Sequence, residues 1–222
     1  MAAVPVGILG VLFDMDGVLA LNGAFHAQAW RRIFRKHFGL DVALDDARFH
    51  GGKSRFIIQA VTGQLLPQDR AWAIHLEKEE LYRQLASGRI EPTPGLSIYL
   101  ERLQKYGVPL GLVTSADEEN VDFVLGALGL SGVFASRVLG SDVTTGKPDP
   151  TPYLLGAGRL ELAPEACLVH EDSVAGVRSG ATAGCVVHAV LTTCDEPALR
   201  AAGARWVTPN FSGWLEVLDR TA

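Results

Sequence analysis

The stretch Ile8-Leu9-Gly10-Val11-Leu12-Phe13-Asp14-Met15-Asp16-Gly17-Val18-Leu19 is an apolar run that ends on two carboxylates two residues apart. Hydrophobicity that is continuous rather than alternating suits a parallel strand buried on both faces. The C-terminal ends of such strands are where open α/β sheets bind ligands. Two carboxylates at one strand end repel each other, so they need a cation, a shared proton, or a division of labour as nucleophile and acid. An acidic turn capping a strand is the plainer alternative. A calcium loop of the EF-hand kind would place a third oxygen ligand before its glycine and close on Glu, whereas Gly17 follows Asp16 at once.

Working outward, apolar runs recur from Val108 to Val113, Cys167 to Val169 and Val186 to Leu191. Helix-length segments accompany them: Gly95 to Tyr106, Glu119 to Leu128, Pro150 to Leu160 and Val174 to Ala183. This alternation predicts an α/β fold with a doubly wound, mostly parallel, Rossmann-like sheet. Between Asn22 and Ile90 the pattern stops. Amphipathic helical segments (Phe25 to Phe38, Arg55 to Thr62, Asp69 to Leu85) fill that interval without a convincing strand. The expected organisation is a core of residues 1–21 and 91–222, with an all-helical domain, residues 22–90, inserted after the first strand. The return segment, Gly88 to Gly95, is dense in helix breakers and reads as a hinge or linker.

Three further clusters follow apolar runs. Glu171-Asp172-Ser173 precedes a helical segment, so read alone Asp172 or Ser173 could be a helix N-cap. Paired with Asp14 and Asp16, however, these carboxylates make an oxygen-ligand site suited to Mg2+, which keeps waters and takes further ligands from a phosphate. Lys147 lies in Gly146-Lys147-Pro148-Asp149-Pro150, a rigid turn that favours phosphate contact over free solvation. A P-loop is excluded, because five residues separate Gly140 from Gly146 and Pro148 stands where Ser or Thr belongs. Thr114-Ser115 ends another run and offers hydroxyl and N–H donors.

The formal net charge of -5 argues against a nucleic-acid surface, which needs clustered Lys and Arg. No apolar stretch approaches the ~20 residues of a membrane span, and the N-terminal stretch lacks a basic n-region. Cys167, Cys185 and Cys194 are too irregularly spaced for a disulfide framework or a Cys-rich metal site. A cytoplasmic monomer acting on a small molecule, with no nucleic-acid or membrane partner, is expected.

In order, Asp-x-Asp-Gly, Thr-Ser, Lys-Pro and Glu-Asp-Ser-x-x-Gly resemble the four motifs of the haloacid dehalogenase superfamily. The likeness is especially close to its β-phosphoglucomutase-like branch, whose helical cap follows the first strand. The resemblance implies that Asp14 attacks phosphorus to form an aspartyl-phosphate, while Asp16 protonates the leaving oxygen and later activates water. Thr114, Ser115 and Lys147 would hold the phosphoryl oxygens. Mg2+ would sit on Asp14, the Asp16 carbonyl and Asp172, with Glu171 as a ligand or just behind one. In the helical domain, Phe25-His26-Ala27-Gln28-Ala29-Trp30 and Gly51-Gly52-Lys53-Ser54-Arg55 resemble substrate-facing positions of that branch. There His26 would orient Asp16, Arg55 would bind a second anionic group, and Gly52 and Lys53 would border the substrate. For each, a plain helix-face or surface role stays open.

The chain departs from the usual pattern at Ala20-Leu21-Asn22, where an acidic residue and Ser or Thr are customary. An ungapped placement around Tyr82 sets Gln84 where mutases of the branch carry a substrate-binding lysine, which favours hydrolysis. The expected activity is a Mg2+-dependent phosphatase acting on a small phosphorylated metabolite such as a sugar phosphate. A hexose-phosphate mutase and a non-catalytic phosphometabolite-binding protein are the alternatives.

Overall fold

The computed structural model describes residues 3–46 and 53–221. The chain divides into two compact units, one running to Leu21 and resuming at Glu91, the other spanning Asn22–Ile90. In chain order the first unit holds β1 (Gly10–Phe13) and the second holds α1 (Gly23–Phe38), α2 (Ser54–Thr62) and α3 (Gln68–Ala86). The first unit resumes with α4 (Leu96–Lys105), β2 (Leu110–Val113), α5 (Glu118–Leu128), β3 (Ser136–Val138) and α6 (Thr151–Arg159). It ends with β4 (Cys167–Glu171), α7 (Val174–Thr182), β5 (Val186–Val190), α8 (Glu196–Ala202), β6 (Trp206–Thr208) and α9 (Phe211–Thr221).

The sheet runs β3-β2-β1-β4-β5-β6 with every neighbouring pair parallel, so the expected α/β architecture is the one the chain adopts. The strand order reverses at β1, which lies between β2 and β4, and that is the switch point where such sheets open a crevice. The strands read as apolar runs because β1, β2 and β4 are buried along their whole length. The edge strands β3 (Ser-Arg-Val) and β6 (Trp-Val-Thr) were not expected from the sequence. Each is three residues long and half buried, so neither carries an apolar signal. Helices α8 and α9 were likewise not anticipated.

Alternation along the strands sorts side chains onto two faces. Leu12, Val113, Val169 and Val187 pack with Tyr153 and Val177 of α6 and α7. On the other face, Phe13 and His170 meet Tyr99 of α4 and Phe211 of α9. Each fully buried large apolar side chain contributes roughly 1.5–3 kcal/mol. That margin lets the second face also bury two histidines.

Those histidines form one directed chain. Thr208 Oγ1 donates to the Asn210 carbonyl at 2.8 Å, so it accepts from His188 Nε2, also at 2.8 Å. His188 Nδ1 then accepts from His170 Nδ1 at 2.7 Å, and His170 Nε2 accepts from Tyr99 Oη at 3.0 Å. The Tyr99 link requires a neutral His170 and the His170 link a neutral His188, and burial enforces both by pushing His188 down to about 3 and His170 well below the usual histidine range.

In the helical unit, Trp30, Ile33 and Phe34 of α1 pack with Ile57 and Ile58 of α2 and Ala71 and Ile74 of α3. Gly39 closes α1 in the left-handed conformation, with φ 66°. Among the described residues, no helix is long and apolar enough to cross a membrane.

The histidine chain gives a pH prediction. An unfolded chain binds protons at both histidines below about pH 6.5, whereas the folded chain refuses them. The stability they confer is therefore complete above that pH and is lost as pH falls toward 3. Urea unfolding of wild type should lose stability steeply from pH 6.5 to 4.5. His188→Leu should be less stable at pH 7.5, by ~1–3 kcal/mol for the donor left unpaired, yet show a flatter acid limb. A limb equally steep in the variant would contradict this reading.

Candidate active site

The ends of the adjacent strands β2, β1 and β4 bring Thr114, Asp14 and Glu171-Asp172 together. The Asp14 N–H donates to the His170 carbonyl at 3.0 Å, fixing the nucleophile candidate to the β4 ladder. Lys147 arrives from the turn before α6. Its Nζ donates to Asp14 Oδ1 at 2.6 Å, Glu171 Oε1 at 2.7 Å and the Val113 carbonyl at 3.0 Å. All three ammonium hydrogens are thus placed, one against each strand end. Tyr153, one turn into α6, donates its hydroxyl to Glu171 Oε1 at 2.8 Å and lays its ring 5.0 Å from the lysine nitrogen.

Glu171 is saturated with donors. Besides Lys147 and Tyr153 on Oε1, its Oε2 accepts from the Asp172 N–H (3.0 Å), the Ser173 N–H (3.2 Å) and Ser173 Oγ (3.1 Å). Gly176 permits this packing, since a Cβ there would run into the Glu171 carboxylate. Ser173 also caps α7, accepting from Gly176 N–H at 3.0 Å. Gly17 plays a comparable part beside Asp172. Its φ of +78° is left-handed, and a Cβ would collide with Asp172 Oδ2.

The electrostatics separate the three acids. Burial pushes Asp14 up to about 7, with Lys147 opposing and Glu171 and Asp16 adding to the rise. Asp172 is raised well above the carboxylate range by burial and by the charges of Glu171 and Asp14. Burial would raise Glu171 too, but Lys147 and the other donors hold it below its ordinary value. Asp172 therefore lacks a compensating cation, Asp14 is compensated in part by Lys147, and Glu171 is fully served.

That asymmetry fits a divalent cation. Asp14, Glu171 and Asp172 each offer an oxygen within 4.8 Å of the others, an all-oxygen donor set of the kind Mg2+ takes. Because the oxygens of Glu171 are already committed, Asp14 and Asp172 are the carboxylates suited to direct ligation, with Glu171 holding the lysine in place.

The other residues singled out from the sequence fall as follows. Thr114 is buried, with Oγ1 accepting from Ala116 N–H at 3.1 Å, while Ser115 is exposed. Asp16 is half-buried on the turn closed by Gly17 N–H to the Ala20 carbonyl at 2.8 Å. In the helical unit, His26 stacks on Tyr82 with ring centroids 3.7 Å apart and takes a hydrogen bond at Nδ1 from Lys78 Nζ, 2.7 Å away. Lys53 is exposed at the start of α2, and Arg55 Nε donates to the Leu66 carbonyl at 3.1 Å. Gly51 and Gly52 lie outside the described residues. Gln84 lies on an outer face of α3, bonded to Glu80 at 2.8 Å, whereas α3 buries Lys78 between Glu79, Trp30 and Tyr82.

The sequence reading missed Tyr153, Thr192, Thr193 and Lys78. Thr192 and Thr193 both donate to Asp172 Oδ2 from the loop after β5. None of the four had a local signal. Tyr153 and Lys78 occupy ordinary helix positions, and two threonines beyond a strand look like any polar turn.

Comparison with known proteins agrees with this geometry. A family model described as haloacid dehalogenase-like hydrolase matches residues 8–184. Validoxylamine A 7'-phosphate phosphatase of Streptomyces hygroscopicus subsp. limoneus is 30% identical, covering 86% of this chain and 89% of its own. Hexitol phosphatase A of Escherichia coli K12 is 34% identical, covering 86% of each. A mutant of the CbbY protein of Rhodobacter sphaeroides, solved with xylulose-(1,5)bisphosphate, has a TM-score of 0.79 at 26% identity, covering 92% of this chain and 95% of that one. With motifs, sheet order and relatives in accord, the chain belongs to the haloacid dehalogenase-like hydrolases.

Proposed function

We propose that this hydrolase is a phosphatase of small phosphorylated polyols or sugars, working through an aspartyl-phosphate on Asp14. The observation that carries the reading is the buried Asp14 carboxylate held at 2.6 Å by Lys147 beside the uncompensated Asp172. The relatives support the substrate class, since their names specify a validoxylamine phosphate, hexitol phosphates and a xylulose bisphosphate.

In the first half-reaction an Asp14 oxygen attacks phosphorus as the bond from phosphorus to the leaving oxygen breaks. Asp16 gives its proton to that oxygen. In the second, water attacks the phosphorus while Asp16 takes back a proton, and the bond to Asp14 breaks to release phosphate. A covalent intermediate divides one difficult transfer into two easier ones. Lys147 neutralises charge on the phosphoryl oxygens, and the Thr114 hydroxyl and nearby N–H groups orient them. Asp14 and Asp172 would hold Mg2+, which when bound would supply the further positive charge that an anionic nucleophile needs to meet an anionic phosphoryl group.

Two outcomes test this. With Mg2+, a panel of hexose, pentose and hexitol phosphates should include substrates that release inorganic phosphate. Asp14→Asn should lose roughly 10^4-fold or more in kcat, and Asp16→Asn about 10^2 to 10^4-fold. Turnover surviving Asp14→Asn would defeat the mechanism, and an isomerised product with little free phosphate would indicate a mutase.

The second outcome concerns the cation. Mg2+ at 100 times its Kd should stabilise the wild type by about 2.7 kcal/mol, and Asp172→Asn should abolish that shift. The unfolded chain gives up the Asp172 proton near pH 4, while the folded, cation-free chain holds it to much higher pH, so wild-type stability falls as pH rises between them. In EDTA at pH 8 the Asn variant should therefore be the more stable protein, by ~1–3 kcal/mol. Urea unfolding checks both signs.

A further inference from the structure

Asp172 is 4% exposed, and among the described residues no Lys, Arg or His pairs with it. Its polar partners are two hydroxyls of the loop after β5, Thr192 Oγ1 at 3.2 Å and Thr193 Oγ1, and both reach Oδ2. No hydrogen bond among the described residues falls on Oδ1. The carboxylate is thus divided, with Oδ2 turned into the protein and Oδ1 left for a ligand.

The loop that supplies these hydroxyls is fixed at both ends. Leu191 N–H donates to the Thr208 carbonyl at 3.0 Å, extending the ladder to β6, and Asp195 caps α8 by accepting from Ala198 N–H at 2.9 Å. Thr192 also donates to the Gly17 carbonyl at 2.7 Å, tying the loop to the turn that carries Asp16. A Cβ at Gly17 would lie 3.1 Å from Thr193 Oγ1 as well as striking Asp172. The turn, the acid and the two threonines form one close-packed knot.

We propose that Thr192 and Thr193 are positioning residues for the divalent cation, clamping Oδ2 of Asp172 so that Oδ1 is presented as the ligand. The inference deepens the magnesium reading above and rests on it. A ligand oxygen is useful to a small, geometrically demanding ion only when the carboxylate cannot rotate. Hydrogen bonds to the non-ligating side are what prevent rotation, and removing such a partner typically weakens metal affinity by 10- to 100-fold. A threonine pair with a purely structural part would affect folding and leave cation affinity alone.

The test is Mn2+ binding to the full chain stripped of metal, followed by the electron paramagnetic resonance of free Mn2+, with no turnover involved. Thr193→Ser and Thr193→Ala remove the same methyl group and differ only in the hydroxyl. Thr193→Ser should bind within about threefold of wild type and Thr193→Ala about 10- to 100-fold more weakly. Thr192→Val should weaken binding less than Thr193→Ala, since its proton is shared with the Gly17 carbonyl. Urea midpoints accompany each variant, and if Thr193→Ala does not fold, Thr193→Val takes its place in the comparison. Equal Mn2+ affinity in the Ser and hydroxyl-free variants would overturn the clamp alone. A wild type that takes up no Mn2+, or an Asp172→Asn that takes up as much as wild type, would overturn the magnesium reading beneath it.

Discussion

Lys147 enters the gap between the ends of β1 and β4 with all three of its hydrogens committed, and the charge around it does not balance. Asp14 and Glu171 share the lysine, while Asp172 sits beside them without a cation. A buried carboxylate in that position is destabilising by itself. The surrounding fold is organised to tolerate it. Glycines at 17 and 176 clear the space, Tyr153 and Ser173 absorb the second charge, and two threonines hold the third. The imbalance that strains the fold is the same feature that suits the site to a divalent ion and a phosphoryl group.

The sheet makes such a cluster possible because the elements carrying its members lie far apart in sequence and adjacent in space. β1 contributes Asp14, and its two neighbours contribute the Val113 carbonyl (β2) and Glu171 (β4), each one strand spacing from β1. Behind them, on the opposite face, the Tyr99-His170-His188-Thr208 chain fixes β4 to β5. His170 and Glu171 are neighbours pointing to opposite faces, so the strand that presents the acid is anchored from the side away from the chemistry.

Much of this was legible before any coordinates. Buried parallel strands declare themselves as apolar runs, so β1, β2, β4 and β5 could be read, and with them the acids and hydroxyls at their ends. Lys147 stood out because Gly146, Pro148 and Pro150 fix its turn. What could not be read depended on partners supplied only by the fold. The three-residue edge strands had too little burial to leave a pattern. Lys78 looks like a solvated lysine in an amphipathic helix until Trp30, Tyr82 and His26 close around it. Glu171 and Asp172 are adjacent and chemically alike, and nothing local shows that five donors converge on one while the other keeps a free oxygen.

The position of β1 has a consequence for how the chain comes together. Leu12 pairs with Gly111 on one side and Val169 on the other, so the central strand is made before either neighbour and must wait for both. Every contact within Asn22–Ile90 is local by comparison. Loop-closure entropy and contact order then favour an assembly sequence in which the helical unit consolidates first. Asp14, at the end of β1, acquires its surroundings only after β4 has been synthesised.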